Sequence, residues 1–247
     1  MSGFKTTNWY QELAAGRVLN NVNVSKPSYN VSLPGSGTET IWSYSVGQWV
    51  KQIVSSTYTV TCSSAADTGA GTGARTVSFT YVDGSYDRKT ATVTLNGVTP
   101  VITAFSGLGI NDVRVLTAGT GLTNSGTITI TSTTEATVQA FIAIGESDLQ
   151  QSIYHVPNGY NLFIKRTKIA IFRTAAVTVS VRGYMVNAGV KHLIYSNKLD
   201  DTMTAVSDDV QDIPILIPQN SYIYFEADSS AANAELRIYI QQSLETI

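Results

Sequence analysis

The side chains best suited to chemistry in this chain are carboxylates. Asp200, Asp201, Asp208 and Asp209 lie close together in sequence. Hard cations take several oxygen ligands at once, so the group is a candidate Ca2+ site. The same acids are the ones a glycan hydrolase would draw on, given a groove between a carboxylate pair. The plainer reading is a solvated loop ahead of a strand at 213–217. Glu146 and Asp148 invite the same two readings, or cap a short turn. His155 and His192 are the only histidines, and neither has a Cys, Asp or Glu at ligand spacing. The run Asp67-Thr-Gly-Ala-Gly-Thr-Gly-Ala-Arg75 invites comparison with a phosphate-cradling loop. That loop needs Lys-Ser/Thr and a following helix, and here Arg75 leads into a strand pattern. No Gly-x-Ser-x-Gly elbow is present. No catalytic residue, cofactor or metal site is therefore expected, and the chain reads as a non-enzyme. Exposed tyrosines offer a different chemistry. Tyr184, Tyr195, Tyr222 and Tyr224, with Tyr239, are candidate glycan contacts by ring stacking; the plainer reading makes them core-edge residues.

The elements that would carry these residues are strands. In Thr76-Val-Ser-Phe-Thr-Tyr81, apolar and hydroxyl residues alternate with the period of a half-buried strand. Thr90-Ala-Thr-Val-Thr-Leu95 repeats the pattern and runs into Asn96-Gly97, which predicts a two-residue hairpin turn. Further short strands follow, separated by glycine-bearing turns, up to Thr127–Ile130. The spacing predicts a β-sandwich over 51–133. Ser132–Ala136 is the expected linker. From Val138 a second set of strands begins, closing with Leu236, Ile238 and Ile240 on one face. About eight strands without a helix predict a jelly-roll-like sandwich over 134–247. Pro214 and Pro218 place their segment at an edge or at strand ends. Residues 1–50 read as an extended arm with lead-in strands at 39–46 and 49–54, with Pro27 and Pro34 barring central-strand positions. Trp9, Tyr10, Tyr29 and Trp42 are its candidate interface residues, since large aromatics are enriched at interfaces; a core role for Trp42 and Trp49 is the competing reading. The fold class is all-β: an arm, a sandwich and a jelly-roll-like sandwich.

Composition narrows the function. Of 247 residues only 14% are charged, and the net charge is −2. Nothing in that balance favours a nucleic-acid backbone or an anionic membrane as partner. Cys62 is the single cysteine, so no internal disulfide forms, and it reads as a small apolar residue. No apolar run reaches the length of a membrane helix, and the first residues lack a signal-peptide core. Hydroxyl side chains take the place of charges, as suits a protein packed in an assembly or one that works outside a cell.

Two stretches resemble known proteins. Glu39-Thr-Ile-Trp42, Ser63–Val77, Val93-Thr-Leu-Asn-Gly-Val-Thr-Pro-Val101 and Thr117–Gly126 look like a domain of virion structural proteins found in tailed bacteriophages and large aquatic viruses. Val156–Tyr160, Ile217–Tyr222 and Phe225–Asp228 are similar to the β-sandwich that often follows it. The resemblance implies a place in the virion (capsid surface, vertex, neck or fibre base) and carries no catalytic residues. It implies other virion proteins as partners (capsid, portal, neck or fibre), with docking through the arm and first sandwich. A ring-symmetric homo-oligomer, trimer or pentamer, is expected. A host-surface glycan is the alternative partner; neither nucleic acid nor membrane is expected.

Overall fold

The computed structural model describes residues 11, 12, 15, 17–44, 47–172, 177–201 and 204–247; of 201, 204, 205 and 212 it describes the backbone alone. Three strands come first: β1 (Asn21–Asn23), β2 (Lys26–Leu33) and β3 (Thr38–Thr40). Seven follow: β4 (Ser56–Cys62), β5 (Ala74–Val82), β6 (Arg88–Thr94), β7 (Val101–Gly107), β8 (Gly109–Ala118), β9 (Ile128–Ser132) and β10 (Val138–Ile142). The last seven are β11 (Tyr154–His155), β12 (Tyr160–Phe172), β13 (Val177–Asn187), β14 (Val190–Asp201), β15 (Thr204–Ile217), β16 (Tyr222–Ser229) and β17 (Ala234–Thr246). The strand pairs are antiparallel.

β4 to β10 form one sandwich, with sheets β10-β9-β4-β7 and β6-β5-β8. The alternation read from sequence is the burial pattern. Val77 and Phe79 of β5 face Tyr58, Val60 and Cys62 of β4 across a core shared with Ile128, Ile130 and Ile142. The partly buried Phe105 ring packs against it, stacked on Tyr81 at 4.4 Å and edge-on to Phe79 at 5.3 Å. Two expectations are corrected. Val138–Ile142, expected to open the second sandwich, pairs with β9 in the first. Asn96-Gly97 is not a hairpin turn: β6 pairs with β5 and β7 with β4, so the turn crosses from one sheet to the other. Gly97 takes φ +61° and donates its N–H to Asp67 O at 2.7 Å, docking the crossing on the glycine-rich turn. The β5–β6 hairpin turns instead at Asp83, whose Oδ1 accepts from the N–H of Ser85 and of Asp87.

The remaining strands form a jelly roll. One sheet runs β2-β17-β12-β15, with β1 end to end with β2 along β17; the other runs β3-β16-β13-β14, with β11 also on β16. Followed along the chain, β2, β3 and β12 to β17 switch sheets in the order of two nested Greek keys. The segment expected as an arm thus supplies the first two jelly-roll strands, and β3, expected to lead into the first sandwich, belongs to the second. The reason is coverage. β17 and β16 would otherwise show open ladders, and the chain that closes them buries Leu33 and Ile41 in the same core as Phe225, Ile238 and Leu244. The first sandwich is an excursion between β3 and β12. Its two ends leave side by side: Ser43 N–H donates to Gln150 O at 2.9 Å and Ser152 N–H to Ile41 O at 3.0 Å.

Candidate functional site

The glycine-rich turn does cradle an anion, and the anion is the chain's own. Asp67 is fully buried. Its Oδ1 accepts from the N–H of Ala74 and of Ser125, and its Oδ2 from the N–H of Gly126, each at 2.8 Å. A Cβ on Gly73 would meet Asp67 Oδ1 at 2.2 Å, so the glycine is what lets the carboxylate in. The turn is a structural knot between 67–74 and 124–126.

The second group of acids lies in strands, not in a loop as expected. Each described one has a partner. Arg166 grips Asp208 through Nε and Nη2 and holds its carboxyl below the usual range. Asp209 accepts from the Tyr195 hydroxyl, from Asn197 Nδ2 at 2.9 Å and from Ser207 Oγ at 3.2 Å. Asp200 accepts from Thr178 Oγ1 and lies 3.6 Å from Lys198 Nζ. The Asp201 side chain lies outside the described residues. Among the described residues no three His, Cys, Asp or Glu side chains are grouped to hold a metal.

Three of the four tyrosines named as glycan contacts come together on the outer face of the β3-β16-β13-β14 sheet. Tyr184 and Tyr224 stack across strands with centroids 5.6 Å apart, and Tyr222 continues the row 6.2 Å from Tyr224. Their faces are already covered. Lys191 Nζ sits 3.6 Å from the Tyr184 centroid and Lys51 Nζ 5.2 Å from that of Tyr222, while Trp49 lies edge-on to Tyr222. Burial pushes the Tyr222 hydroxyl up to about 12. The fourth, Tyr195, is on the opposite side. A bulge between Gly183 and Tyr184 sets Tyr195 opposite Gly183, where it packs on Phe225 in the core.

Of the interface candidates, Trp9 and Tyr10 lie outside the described residues. Trp42 is inside the molecule, 3% exposed, in a small cluster with Trp49 and Ile153 at the seam between sandwiches. Tyr29 lines a groove of about 510 Å3 on the outer face of the β2-β17-β12 sheet. In it Tyr29 stands opposite Arg237, and Arg237 opposite Ala170; Tyr239 stands opposite Lys168. The small Ala170 leaves the depression, and Glu146 and Gln150 of the connecting segment wall it.

Sequence reasoning missed a different surface. β14 and β15, consecutive in the chain, are the outer strands of the two jelly-roll sheets, so one flank carries two edges unpaired among the described residues. Val190, Leu193, Val206, Val210, Ile213 and Leu216 are exposed along it, Ile213 at 84%. Opposite the step from Ile164 to Arg166, the β15 register jumps from Ile215 to Val210, so 211–214 bulge out and present Ile213. Pro214 sits in that bulge, in accord with its expected edge position.

No protein-family model and no curated protein matches this chain. Among solved structures it is similar, at 10% identity, to a chain of the infectious bursal disease virus Gx strain, covering 99% of this chain and 83% of that one with a TM-score of 0.21. It is also similar, at 10% identity, to the VP2 subviral particle of infectious bursal disease virus, covering 92% and 77% with a TM-score of 0.20. A likeness this slight carries no argument about function.

Proposed function

We propose that this chain is a structural subunit of a virus particle, of the tailed-bacteriophage kind that its sequence resembles, and that it acts by assembly without making or breaking bonds. The observation that carries the proposal is the β14–β15 flank. Six exposed aliphatic side chains lie beside two open ladders, and exposed apolar surface of that kind marks interaction sites. Pro214 and the 211–214 bulge interrupt β15, so edge pairing cannot run on unchecked into a fibre. The occupant is a second copy of the chain, and ring closure gives the trimer or pentamer. Low charge supports the same reading, because many weakly charged copies pack without mutual repulsion. So does the jelly roll, an architecture that viral capsid domains use, although fold alone is analogy. Docking onto capsid, portal, neck or fibre proteins would use the first sandwich and the segment carrying β1 to β3, strands that pair on one side with β17 and β16 and form the edges opposite β15 and β14.

Mass photometry of the full chain tests the flank. Wild type should form a closed oligomer, and Ile213→Lys with Val210→Lys should weaken it by about 2 kcal/mol or more per contact, roughly thirtyfold. A monomeric wild type, or an oligomer indifferent to both changes, refutes it. Labelling in purified particles would place the subunit. A second reading, glycan binding, rests on the Tyr29–Tyr239 groove, since jelly rolls also serve as lectins. Glycan-array binding that Tyr29→Ala and Tyr239→Ala remove would favour it.

A further inference from the structure

A cleft of about 160 Å3 opens where the two sandwiches meet. β2 lends it Lys26, β11 lends Tyr154, and the first sandwich lends Thr80, Arg88, Asp112 and Arg114. Three cations and one carboxylate share its wall, a local balance of +2 in a chain whose net charge is −2. The carboxylate is engaged: Arg114 Nε donates to Asp112 Oδ2 at 3.0 Å, and Arg114 Nη2 donates to the same oxygen. That leaves Lys26 and Arg88 with no carboxylate at ion-pair distance among the described residues.

Lys26 is the telling residue. Its side chain is buried, and the one acceptor described for its three donors is the Asn111 main-chain oxygen. Burial, with Arg114 nearby, holds its pKa down to about 8, although Asp112 and the Tyr154 ring 5.9 Å away favour the charge. A buried charge of that kind calls for a counter-charge.

We propose that the cleft binds a small oxyanion of the phosphate or sulfate type, held by the Lys26 ammonium, the Arg88 guanidinium and the Thr80 hydroxyl. The volume suits one tetrahedral ion and not a polymer backbone. Because Lys26 comes from the jelly roll and Arg88 and Thr80 from the inserted sandwich, the bound ion ties the two together.

The test uses the full chain with inorganic phosphate as probe, at pH 7 and constant ionic strength set by chloride. Titration calorimetry should show one saturable site, the melting temperature should rise with occupancy, and sulfate should compete. Arg88→Ala removes an exposed side chain, leaves the fold intact, and should weaken phosphate at least about tenfold, the loss of one charge-assisted contact. Lys26→Met should weaken it further; should that variant fail to fold, Arg88→Ala decides alone. Absence of saturable binding, or equal affinity in wild type and Arg88→Ala, overturns the proposal.

Discussion

Replacing Asp67 by Asn exchanges one oxygen for an amide nitrogen and removes a charge, with almost no change in shape. The buried carboxylate accepts three main-chain N–H groups, from Ala74, Ser125 and Gly126. Asn can turn its oxygen to Ala74 and Ser125, and its NH2 then faces the Gly126 N–H, donor against donor. The orphaned N–H costs about 1–3 kcal/mol. The two surviving bonds lose their charge assistance, about 1 kcal/mol each. Relief from burying a carboxylate works the other way, but three fixed donors around Asp67 already repay that burial. The net expectation is a loss of about 3 kcal/mol. For a chain of this size, 1 kcal/mol shifts the midpoint by roughly 2–4 °C, so Asp67→Asn should melt about 10 °C lower. Asp67→Ala, which orphans all three donors, should melt lower still. Calorimetry gives the midpoints, and hydrogen exchange should show lost protection at Ala74, Ser125 and Gly126 ahead of the β12–β17 pairing. A midpoint within 2 °C of wild type for Asp67→Asn, or an Ala variant more stable than the Asn one, refutes the view that this carboxylate ties the turn.

Gly109→Ala should destabilise the seam by more than about 2 kcal/mol, because a Cβ there would meet the His155 ring at 2.3 Å; chemical denaturation reads it, and an unchanged midpoint counts against the packing described. His155 supplies a pH dependence. Its ring is buried with no partner for either nitrogen among the described residues, and burial, with Lys51 and Lys26 nearby, pushes its pKa down to about 3. The unfolded chain takes up this proton near pH 6.5 and the folded chain does not, so stability present above pH 6.5 falls by about 1.4 kcal/mol per unit as pH drops toward 3. His155→Leu should remove that slope, and coincident wild-type and variant curves would refute it. Replacing residues 44–149 by a short flexible linker should leave a folded but less stable jelly roll, since Ile41–Ser43 and Gln150–Ser152 already pair; a far-ultraviolet spectrum without sheet signal would show that the excursion is needed for folding.

Local alternation was readable in the sequence, and distant partnership was not. β5, β9 and β17 sit where their period-two runs predict, with the expected side chains inward. The carboxylate of Asp67 drew no notice because its partners Ser125 and Gly126 lie 58 and 59 residues away. Strands β2 and β3 read as an arm because the strands that complete them come some 200 residues later, as the Ser32–Asn233 hydrogen bond shows. Asn96-Gly97 signals a turn, but a turn signal does not say which strands flank it. Tyr195 was misread for a subtler reason. Simple alternation puts Leu193 and Tyr195 on one face, and the bulge between them sends Leu193 out and Tyr195 into the core. Of the candidate sites, Tyr184, Tyr222 and Tyr224 were named as separate residues, and the row they form depends on the β13–β16 register, which local alternation does not reveal.

The closed oligomer proposed above would need each copy to meet the next at a fixed rotation, which a joint that bends between the two sandwiches would not hold. The inserted sandwich is tethered at both ends, not one, through the paired neck at Ile41–Ser43 and Gln150–Ser152. The seam adds direct bonds. Asn111 Nδ2 donates to His155 O at 2.8 Å while His155 N–H donates to Asn111 Oδ1 at 2.7 Å, and Gln151 Nε2 donates to Ile110 O at 3.1 Å. Buried hydrogen bonds of this kind cost more to leave unmade than a slippery apolar contact does, so rotation about the neck would orphan several polar groups at once. The seam therefore fixes the angle at which the first sandwich stands from the β14–β15 flank, and an anion held between Lys26 and Arg88 would stiffen that same joint.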